Sequence, residues 1–282
     1  SAASDVYKRQ FLTVTKIGLS GLTFAYMLYE GPAKRLGSAT IRSRREVRLS
    51  KADDKSTDIF IIILATAYAL NGFNLTYSWD IMWLDVIVLL PIIILGVNKA
   101  IRESKFTTYI ISLAMALIIN YYLAFFVCLF VACYFFVAYF TAESEAQQLK
   151  SDLAYAKHGV INEDSLINPY EEEYSVDNEA EYRKSELEYK LLNVKFWPVF
   201  SKFALFTVIA LAISAVMLLP TALSLVDTSA AGDAWPSDMR INFDAFDFMS
   251  RGLMNMSPDI RSGLPNIYVG ILAFIFLPLY VF

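Results

Sequence analysis

Residues 106–140 form an apolar stretch without a single charged side chain, and this stretch limits the possible folds more than any other. As one straight helix it would be about 52 Å long at 1.5 Å per residue, whereas the hydrocarbon core of a bilayer is about 30 Å thick. Its only polar interruption is Asn120-Tyr121-Tyr122. We therefore predict a tight turn there, joining a short membrane span to a full one. A single long, tilted helix is the alternative.

The composition agrees with a membrane protein. The chain is 56% hydrophobic and 15% aromatic, with a mean hydropathy of +0.45, well above the apolar share of a soluble domain. The net charge of −4 gives no sign of a nucleic-acid surface. Cys128 and Cys133 lie inside an apolar stretch and His158, the single histidine, lies in a polar one. These residues predict neither a disulfide framework nor a metal site.

Basic residues between the apolar stretches indicate how the chain is oriented. Residues 11–29 form a first span with one charge, Lys16, and the loop 30–57 that follows is rich in lysine and arginine. Cytoplasmic loops carry an excess of these residues, so we predict that this loop is cytoplasmic and that the first span begins outside. A nucleic-acid patch is the alternative, but the topological explanation is favoured directly beside a membrane span.

The next two spans take the chain outside and back again. The second runs from about residue 58 to 75 and is interrupted by Asn71, Gly72 and Asn74, which predict an unwound segment. Such breaks are tolerated only where protein or water satisfies the backbone. The third span, residues 81–97, contains Pro91, which predicts a kink. Its cytoplasmic end is indicated by three basic residues: Lys99, Arg102 and Lys105.

A hairpin at Asn120 leaves residues 142–199 in the cytoplasm as a charged insertion. The first half of this insertion is typical of a flexible linker, and the second half of a solvated helix with i,i+4 charge pairs. A regulatory partner for it is the alternative to a plain surface insertion. Residues 200–226 then cross outward, residues 227–266 form an external loop, and a last span runs to residue 282.

The first ten residues require separate treatment. Residues 1–10 resemble the translation of a sequencing adapter, so we exclude them from the fold and expect the chain to be a fragment of a longer protein. The remainder predicts an all-α, multi-pass transmembrane helix bundle with about seven spans. Five of these spans lie in residues 11–141 and two lie in residues 200–282.

Residues 77–85 place two tryptophans and two aspartates where lipid should begin: Trp79, Asp80, Trp83 and Asp85. Tryptophan prefers the membrane–water interface, and ionisable residues at membrane depth are costly, so this cluster is a candidate functional site. The alternative is structural. Trp79 and Trp83, four positions apart on one helix face, would be interfacial anchors, and the aspartates would cap helix ends.

Four stretches of the sequence resemble the bacterial YfhO family of membrane proteins, in order and in spacing. The second of them is the most specific, although its Asp80 stands where the family pattern has Asn. They are KIGLSGL at 16–22, YSWDIMWLD at 77–85, NYY at 120–122, and LPT at 219–221 together with PNIYVG at 265–270.

The resemblance implies a fold and an activity. The family is similar to the GT-C glycosyltransferases, which move a sugar from a polyprenyl-phosphate donor to an acceptor on the external face of the bacterial cell membrane. The implied acceptor is a cell-envelope polymer such as lipoteichoic acid. Such enzymes keep an acidic residue in the first external loop, which would precede residue 11, so we expect this chain to lack it. The resemblance leaves a divalent metal open.

Site residues follow from this resemblance and from the predicted topology, which brings them to one side of the membrane. Asp85 and Asp80 are the candidate catalytic carboxylates, acting as a base or a metal anchor, and Lys16 is the candidate cation for the lipid phosphate. The alternative is that Asp85 pairs with Lys16 only to neutralise both charges. The candidate substrate-binding residues are Trp79, Trp83, Tyr121, Tyr122 and Tyr268 as apolar or sugar-stacking faces, with Asn120 and Asn266 as hydrogen-bonding groups.

A transporter or lipid flippase is the main rival class. Proteins of that class also use intramembrane charge and broken helices, but typically with two related halves and a site near the bilayer midplane. This sequence shows no internal repeat, and its polar groups gather at one face. A structural scaffold is a third possibility, disfavoured by the charged and amide groups at the outer ends of several spans.

Overall fold

The computed structural model of the chain describes residues 2–33, 58–163 and 195–226, together with positions 244, 246 and 250. No strand occurs among these residues. The helices with described boundaries are α1 (Ala2–Leu28), which continues into a π-helical turn (Tyr29–Ala33), α2 (58–69), α3 (Gly72–Thr76), α4 (Ile81–Glu103), α5 (Thr107–Ile119), α6 (Tyr121–Glu163) and α7 (Phe196–Val226).

Within these residues, five helical segments are long and apolar enough to cross a membrane, the second of them made of α2 and α3 together, and α5 is a shorter apolar helix. This confirms the predicted all-α, multi-pass bundle. The predicted last span, most of the basic loop 30–57 and most of the external loop 227–266 lie outside the described residues. The five spans are Ser4–Gly31, Asp58–Thr76, Ile81–Glu103, Tyr121–Gln147 and Phe196–Ser224.

The predicted turn at Asn120 is confirmed, and the alternative of one long helix is wrong. Asn120 has an extended backbone (φ −150°, ψ 95°) between α5 and α6. Its side-chain oxygen accepts a hydrogen bond from the backbone N–H of Leu123 at 3.1 Å. An asparagine whose oxygen binds the third N–H of the following helix is a favourable N-cap. The one amide in a long apolar stretch thus both ends α5 and starts α6.

The predicted interruption of the second span is also confirmed. α2 ends at residue 69 and α3 begins at Gly72. Asn71 accepts a hydrogen bond from the backbone N–H of Asn74 at 2.8 Å and donates to the carbonyl of Tyr68 at 2.7 Å. The Asn74 amide donates to the carbonyl of Ala69 at 3.0 Å. Two side-chain amides therefore satisfy backbone groups that the break releases at membrane depth.

α4 is the centre of the bundle, because it packs against α1, α5 and α6. α1 and α4 run in the same direction, as two ion pairs show. Lys16 pairs with Asp85, and further along both segments Glu30 pairs with Lys99. We call the end of the bundle that contains Asp85 the Asp85 end, and the opposite one the Lys99 end.

α6 runs parallel to α4, whereas α5 runs against both. Asn98 donates to the hydroxyl of Tyr134 at 3.0 Å, and further along the same two helices Arg102 forms a two-pronged ion pair with Glu145. α7 in turn runs parallel to α5, since Phe106 stacks on Phe206 with ring centroids 4.2 Å apart and Ser214 donates to the Ala114 carbonyl at 3.2 Å. The helices therefore alternate in direction, as the predicted topology requires.

The core lies where α4, α5, α6 and α7 meet. Phe135 stacks on Phe203 at 4.4 Å, and Phe203 stacks on Tyr109 at 5.3 Å. The Tyr109 hydroxyl is 2.8 Å from that of Thr207, so its polar end is satisfied inside the bundle. Gly96 lets α4 approach the backbone of α5 directly, because a Cβ at this position would lie 2.7 Å from the Tyr109 Cα.

Two predicted boundaries differ from the structure. α6 continues to Glu163, so the part of the charged insertion expected to be a linker is helical up to that residue. The reason is local, because residues 141–157 contain neither Gly nor Pro and are rich in Ala, Glu, Gln and Leu, which favour helix. α1 begins at Ala2, so residues 2–10 continue the first span as helix.

We expect Gly96→Ala to destabilise the bundle, because the added methyl group meets backbone atoms of Tyr109 that cannot rotate away. Overpacking of this kind costs about 1–3 kcal/mol. Gly18→Ala is the matched control, since a Cβ there meets nothing within 4 Å. The free energy of unfolding in mixed detergent micelles measures both. Equal stability of the two variants would contradict the close approach of α4 and α5.

Candidate functional site

Lys16 and Asp85 form an ion pair at the Asp85 end of the bundle. The Lys16 ammonium donates to Asp85 Oδ2 at 2.7 Å and to the carbonyl oxygen of Ile81 at 3.1 Å. Both side chains are partly buried, with 19% of Lys16 and 31% of Asp85 exposed. The pairing that the sequence offered as an alternative is therefore formed. Because part of each side chain is exposed, the pair also retains the capacity to meet a ligand.

An aromatic cluster surrounds Trp83, which lies two residues before Asp85 on α4. Its ring centroid is 5.8 Å from Tyr77, 6.2 Å from Phe73 and 6.5 Å from Tyr122. Tyr122 in turn meets Phe126 edge-on at 5.4 Å. We call these five residues the aromatic cluster. The residues of this cluster thus come from α3 and from the starts of α4 and α6, and their rings form one surface.

Trp83 and Tyr122 were predicted as substrate-binding residues, whereas Phe73, Tyr77 and Phe126 were missed. Phe73 and Tyr77 are four positions apart around the broken end of the second span, and that spacing could have suggested a shared face. Phe126 carried no such signal, because the first half of α6 has aromatic residues on every side.

The other predicted residues occupy different positions. Asp80 is half-buried at the N-cap position of α4, but its side chain makes no capping hydrogen bond. Trp79 lies in the preceding turn and is 54% exposed. Because α4 begins only at Ile81, the alternative in which Trp79 and Trp83 share a helix face is wrong. Asn120 caps α6, and Tyr121 follows it, 43% exposed. Two predicted residues lie outside the described part of the chain: Asn266 and Tyr268.

A second polar contact, which sequence reasoning missed, holds α3 against α1. The Asn74 amide nitrogen is 3.4 Å from the Ser20 hydroxyl, and both side chains are buried. Ser20 lies one turn after Lys16 on α1 and itself donates to the Ile17 carbonyl. Since α3 also carries Phe73 and Tyr77, this contact places part of the aromatic cluster next to the helix that carries Lys16.

Carboxylate oxygens are the ligands that hard metal ions prefer in proteins, and two aspartates lie at this end of the bundle. Across residues 2–33, 58–163 and 195–226, no three His, Cys, Asp or Glu side chains come together in a way that would hold a metal ion. The described carboxylates at this end, Asp80 and Asp85, therefore do not form a metal-binding set by themselves.

A bundle of apolar spans with a charged pair and an aromatic cluster at one end defines a multi-pass helical membrane protein. The family model described as bacterial membrane protein YfhO matches residues 47–162 and 189–282. This match covers well over half of the chain, so the protein belongs to the YfhO family, and the predicted resemblance is confirmed. It is a multi-pass protein of the bacterial membrane. The matched residues include the aromatic cluster and Asp85, whereas Lys16 precedes them.

No curated protein and no solved structure matches the chain.

We expect the Lys16–Asp85 pair to show clear energetic coupling in a double-mutant cycle. Lys16→Met alone leaves a partly buried carboxylate without its ammonium partner, and Asp85→Leu alone leaves the ammonium without its carboxylate, so each single change should destabilise the bundle. The double variant should recover part of that loss, with a coupling energy of about 0.5–3 kcal/mol. Unfolding in mixed micelles measures this energy.

The exposed pair Lys105–Glu103 is the control for this cycle, because its side chains are 72% and 47% exposed and such pairs contribute little. Additive effects of the two changes at Lys16 and Asp85 would show that their proximity carries no stabilising interaction.

Proposed function

We propose that this protein is a membrane glycosyltransferase that moves a sugar from a polyprenyl-phosphate donor to a cell-envelope acceptor, such as lipoteichoic acid, on the external face of the membrane. Membership of the YfhO family is consistent with such a role. The observation that carries the proposal is the partly exposed Lys16–Asp85 pair, which lies at the same end of the bundle as the aromatic cluster. A cation, a carboxylate and an aromatic surface are the groups that this transfer requires.

Lys16 is the group proposed to hold the donor phosphate. Its ammonium binds one carboxylate oxygen and one backbone carbonyl, so a phosphate oxygen can replace either of these acceptors. A preorganised cation near a leaving phosphate stabilises the negative charge that develops there as the sugar departs. A lipid phosphate bound at Lys16 would also draw the ammonium away from Asp85 and leave that carboxylate able to accept a proton.

Asp85 is then the proposed general base. The acceptor hydroxyl gives its proton to Asp85 while its oxygen forms a bond to the anomeric carbon of the sugar. The bond between that carbon and the phosphate oxygen breaks, and the lipid phosphate leaves with the electron pair. General-base catalysis by a positioned carboxylate typically contributes about 10²–10⁴-fold to the rate.

The aromatic cluster and its neighbours are proposed to hold the sugar. Trp83 and Tyr122 offer ring faces at the Asp85 end of the bundle, and Tyr122 is 54% exposed, which leaves its ring accessible. Trp79, Asp80 and Tyr121 border the same end of the bundle, and Asn120, Asn266 and Tyr268 stay in the proposal as further substrate contacts. Aromatic rings suit the apolar C–H faces of a sugar as well as a lipid tail.

The distribution of basic residues supports an external position for this site. Lys99, Arg102 and Lys105 lie at the opposite end of α4 and in the loop after it. Lysine and arginine favour the cytoplasmic side, so this rule orients the Lys99 end inward and the Asp85 end outward.

We expect Asp85→Asn to reduce sugar transfer by about 10²–10⁴-fold, because it removes the base. We expect Lys16→Met to raise the half-saturating donor concentration, because it removes the cation that binds the donor phosphate. The assay measures transfer of radiolabelled sugar from polyprenyl phosphate to acceptor polymer in vesicles containing the full chain. Glu103→Gln, at the opposite end of the bundle, is the control and should leave transfer unchanged. Full activity of Asp85→Asn would reduce that residue to a packing role, and movement of the lipid across the bilayer without transfer would favour a flippase.

We also expect a cysteine placed at Trp79 to react with a membrane-impermeant maleimide added outside intact cells, and one placed at Ser104 to react only after lysis. Both positions are exposed and lie at opposite ends of the bundle. Cys128 and Cys133 are first replaced by alanine to remove the native thiols. The reverse labelling pattern would overturn the orientation and, with it, chemistry on the external face.

A further inference from the structure

A cavity of about 480 Å³ lies at the Lys99 end of the bundle, where α4 passes into α5. It is separate from the Lys16–Asp85 site, because Lys99 follows Asp85 on α4 by about four helical turns, or about 21 Å. The cavity is open on one side and is within the size range of ligand pockets. Neither the ion pair at the Asp85 end nor the aromatic cluster contributes to it.

Two ammonium groups and several hydroxyl groups supply the polar part of this cavity. Lys99 and Lys105 line it, together with Ser104, Thr107 and Thr108. These side chains are hydrogen-bond donors suited to phosphate oxygens, and a lysine ammonium is a common phosphate ligand in proteins.

Two carboxylates pair with these lysines, Glu103 with Lys105 and Glu30 with Lys99. Glu103, which also lines the cavity, binds Lys105 at 2.9 Å through side chains that are largely in solvent. Exposed pairs of this kind contribute little. Glu30 lies 3.8 Å from Lys99, longer than a hydrogen bond, so the ammonium has room to bind a further oxygen. The Glu103 carboxylate also raises the pKa of Lys105, which keeps that side chain charged.

The cavity lining also has an apolar part. Ile110 and Phe206 line it, and Phe206 is stacked on Phe106 with ring centroids 4.2 Å apart. The cavity also lies at the membrane boundary, since the α4 span ends at Glu103 and the apolar helix α5 begins at Thr107. A ligand here would meet cations at its head and aromatic or aliphatic side chains below, as a lipid does. Basic pockets between transmembrane helices on the cytoplasmic side are known to bind anionic head groups.

We infer that this cavity binds the head group of an anionic phospholipid of the cytoplasmic leaflet, with the phosphate between Lys99 and Lys105 and the first acyl carbons against Ile110 and Phe206. The same phosphate chemistry is present in soluble phosphates, which lack the acyl chains. The apolar part of the cavity and its position at the membrane boundary favour the lipid.

The test titrates the full chain, purified in a neutral detergent, with fluorescent phosphatidylglycerol and records the apparent Kd. Lys105→Gln is the main variant, because Lys105 is exposed and its replacement should not disturb folding. A lysine near an anionic head group contributes enough for a loss of about fivefold in affinity. Thr107→Glu, which adds a negative charge at the rim, should weaken binding more. Lys202→Gln is the matched control, as an exposed lysine at the same end that does not line the cavity.

Unlabelled phosphatidylglycerol should displace the probe, whereas phosphatidylcholine, glycerol phosphate and inorganic phosphate should not. An equal loss of affinity in Lys105→Gln and Lys202→Gln would overturn the inference in favour of general surface charge. Displacement by glycerol phosphate at the same concentration as the lipid would show a soluble-phosphate site instead. Melting temperatures of the lipid-free variants, expected to equal that of the parent chain, separate a loss of binding from a loss of fold.

Discussion

The arrangement of charges between α1 and α4 fixes the register on which the rest of the bundle depends. Glu30, in the π-helical turn after α1, follows Lys16 by the same number of positions as Lys99 follows Asp85 on α4, so Lys16–Asp85 and Glu30–Lys99 form together. The signs are reversed between the two pairs: the first segment has Lys and then Glu, and α4 has Asp and then Lys. Sliding one helix along the other, or inverting it, would leave charges unpaired or place like charges together. Because unpaired charges at membrane depth are costly, the sequence accepts only one parallel alignment.

The break points of the fold could be predicted from the sequence because polar residues are rare in its apolar stretches. Asn120, Asn71 and Asn74 each stand among apolar neighbours, and an amide at membrane depth has few partners other than released backbone groups. The structure places all three amides at helix ends or breaks. The extent of α6 was missed for the opposite reason. Its charged part was interpreted by its polarity, which indicates solvent, whereas its Ala, Glu and Gln content indicates helix.

The candidate site was predictable only in part. Lys16 and Asp85 were identified because few charges occur in the spans, and each needs a partner. The aromatic cluster needed tertiary information. In spans that are rich in Phe and Tyr throughout, hydrophobicity does not tell which rings face another helix and which face lipid, so Phe73 and Phe126 resembled many other side chains. The buried contact between Ser20 and Asn74 joins residues more than fifty positions apart, and no local pattern predicts it.

α6 is one uninterrupted helix, so its membrane-spanning half sets the rotation about the helix axis of the residues that follow. The helix of 43 residues is about 65 Å long, and it extends from the tyrosines after Asn120 well beyond the bilayer. Each residue turns a helix by about 100° and advances it by about 1.5 Å. Inserting one amino acid in its lipid-spanning half would rotate Glu145 away from Arg102 and swing the whole charged extension around the axis. The rotational position of that extension about the helix axis is thus set by the membrane-spanning half of α6, far from the charged residues themselves.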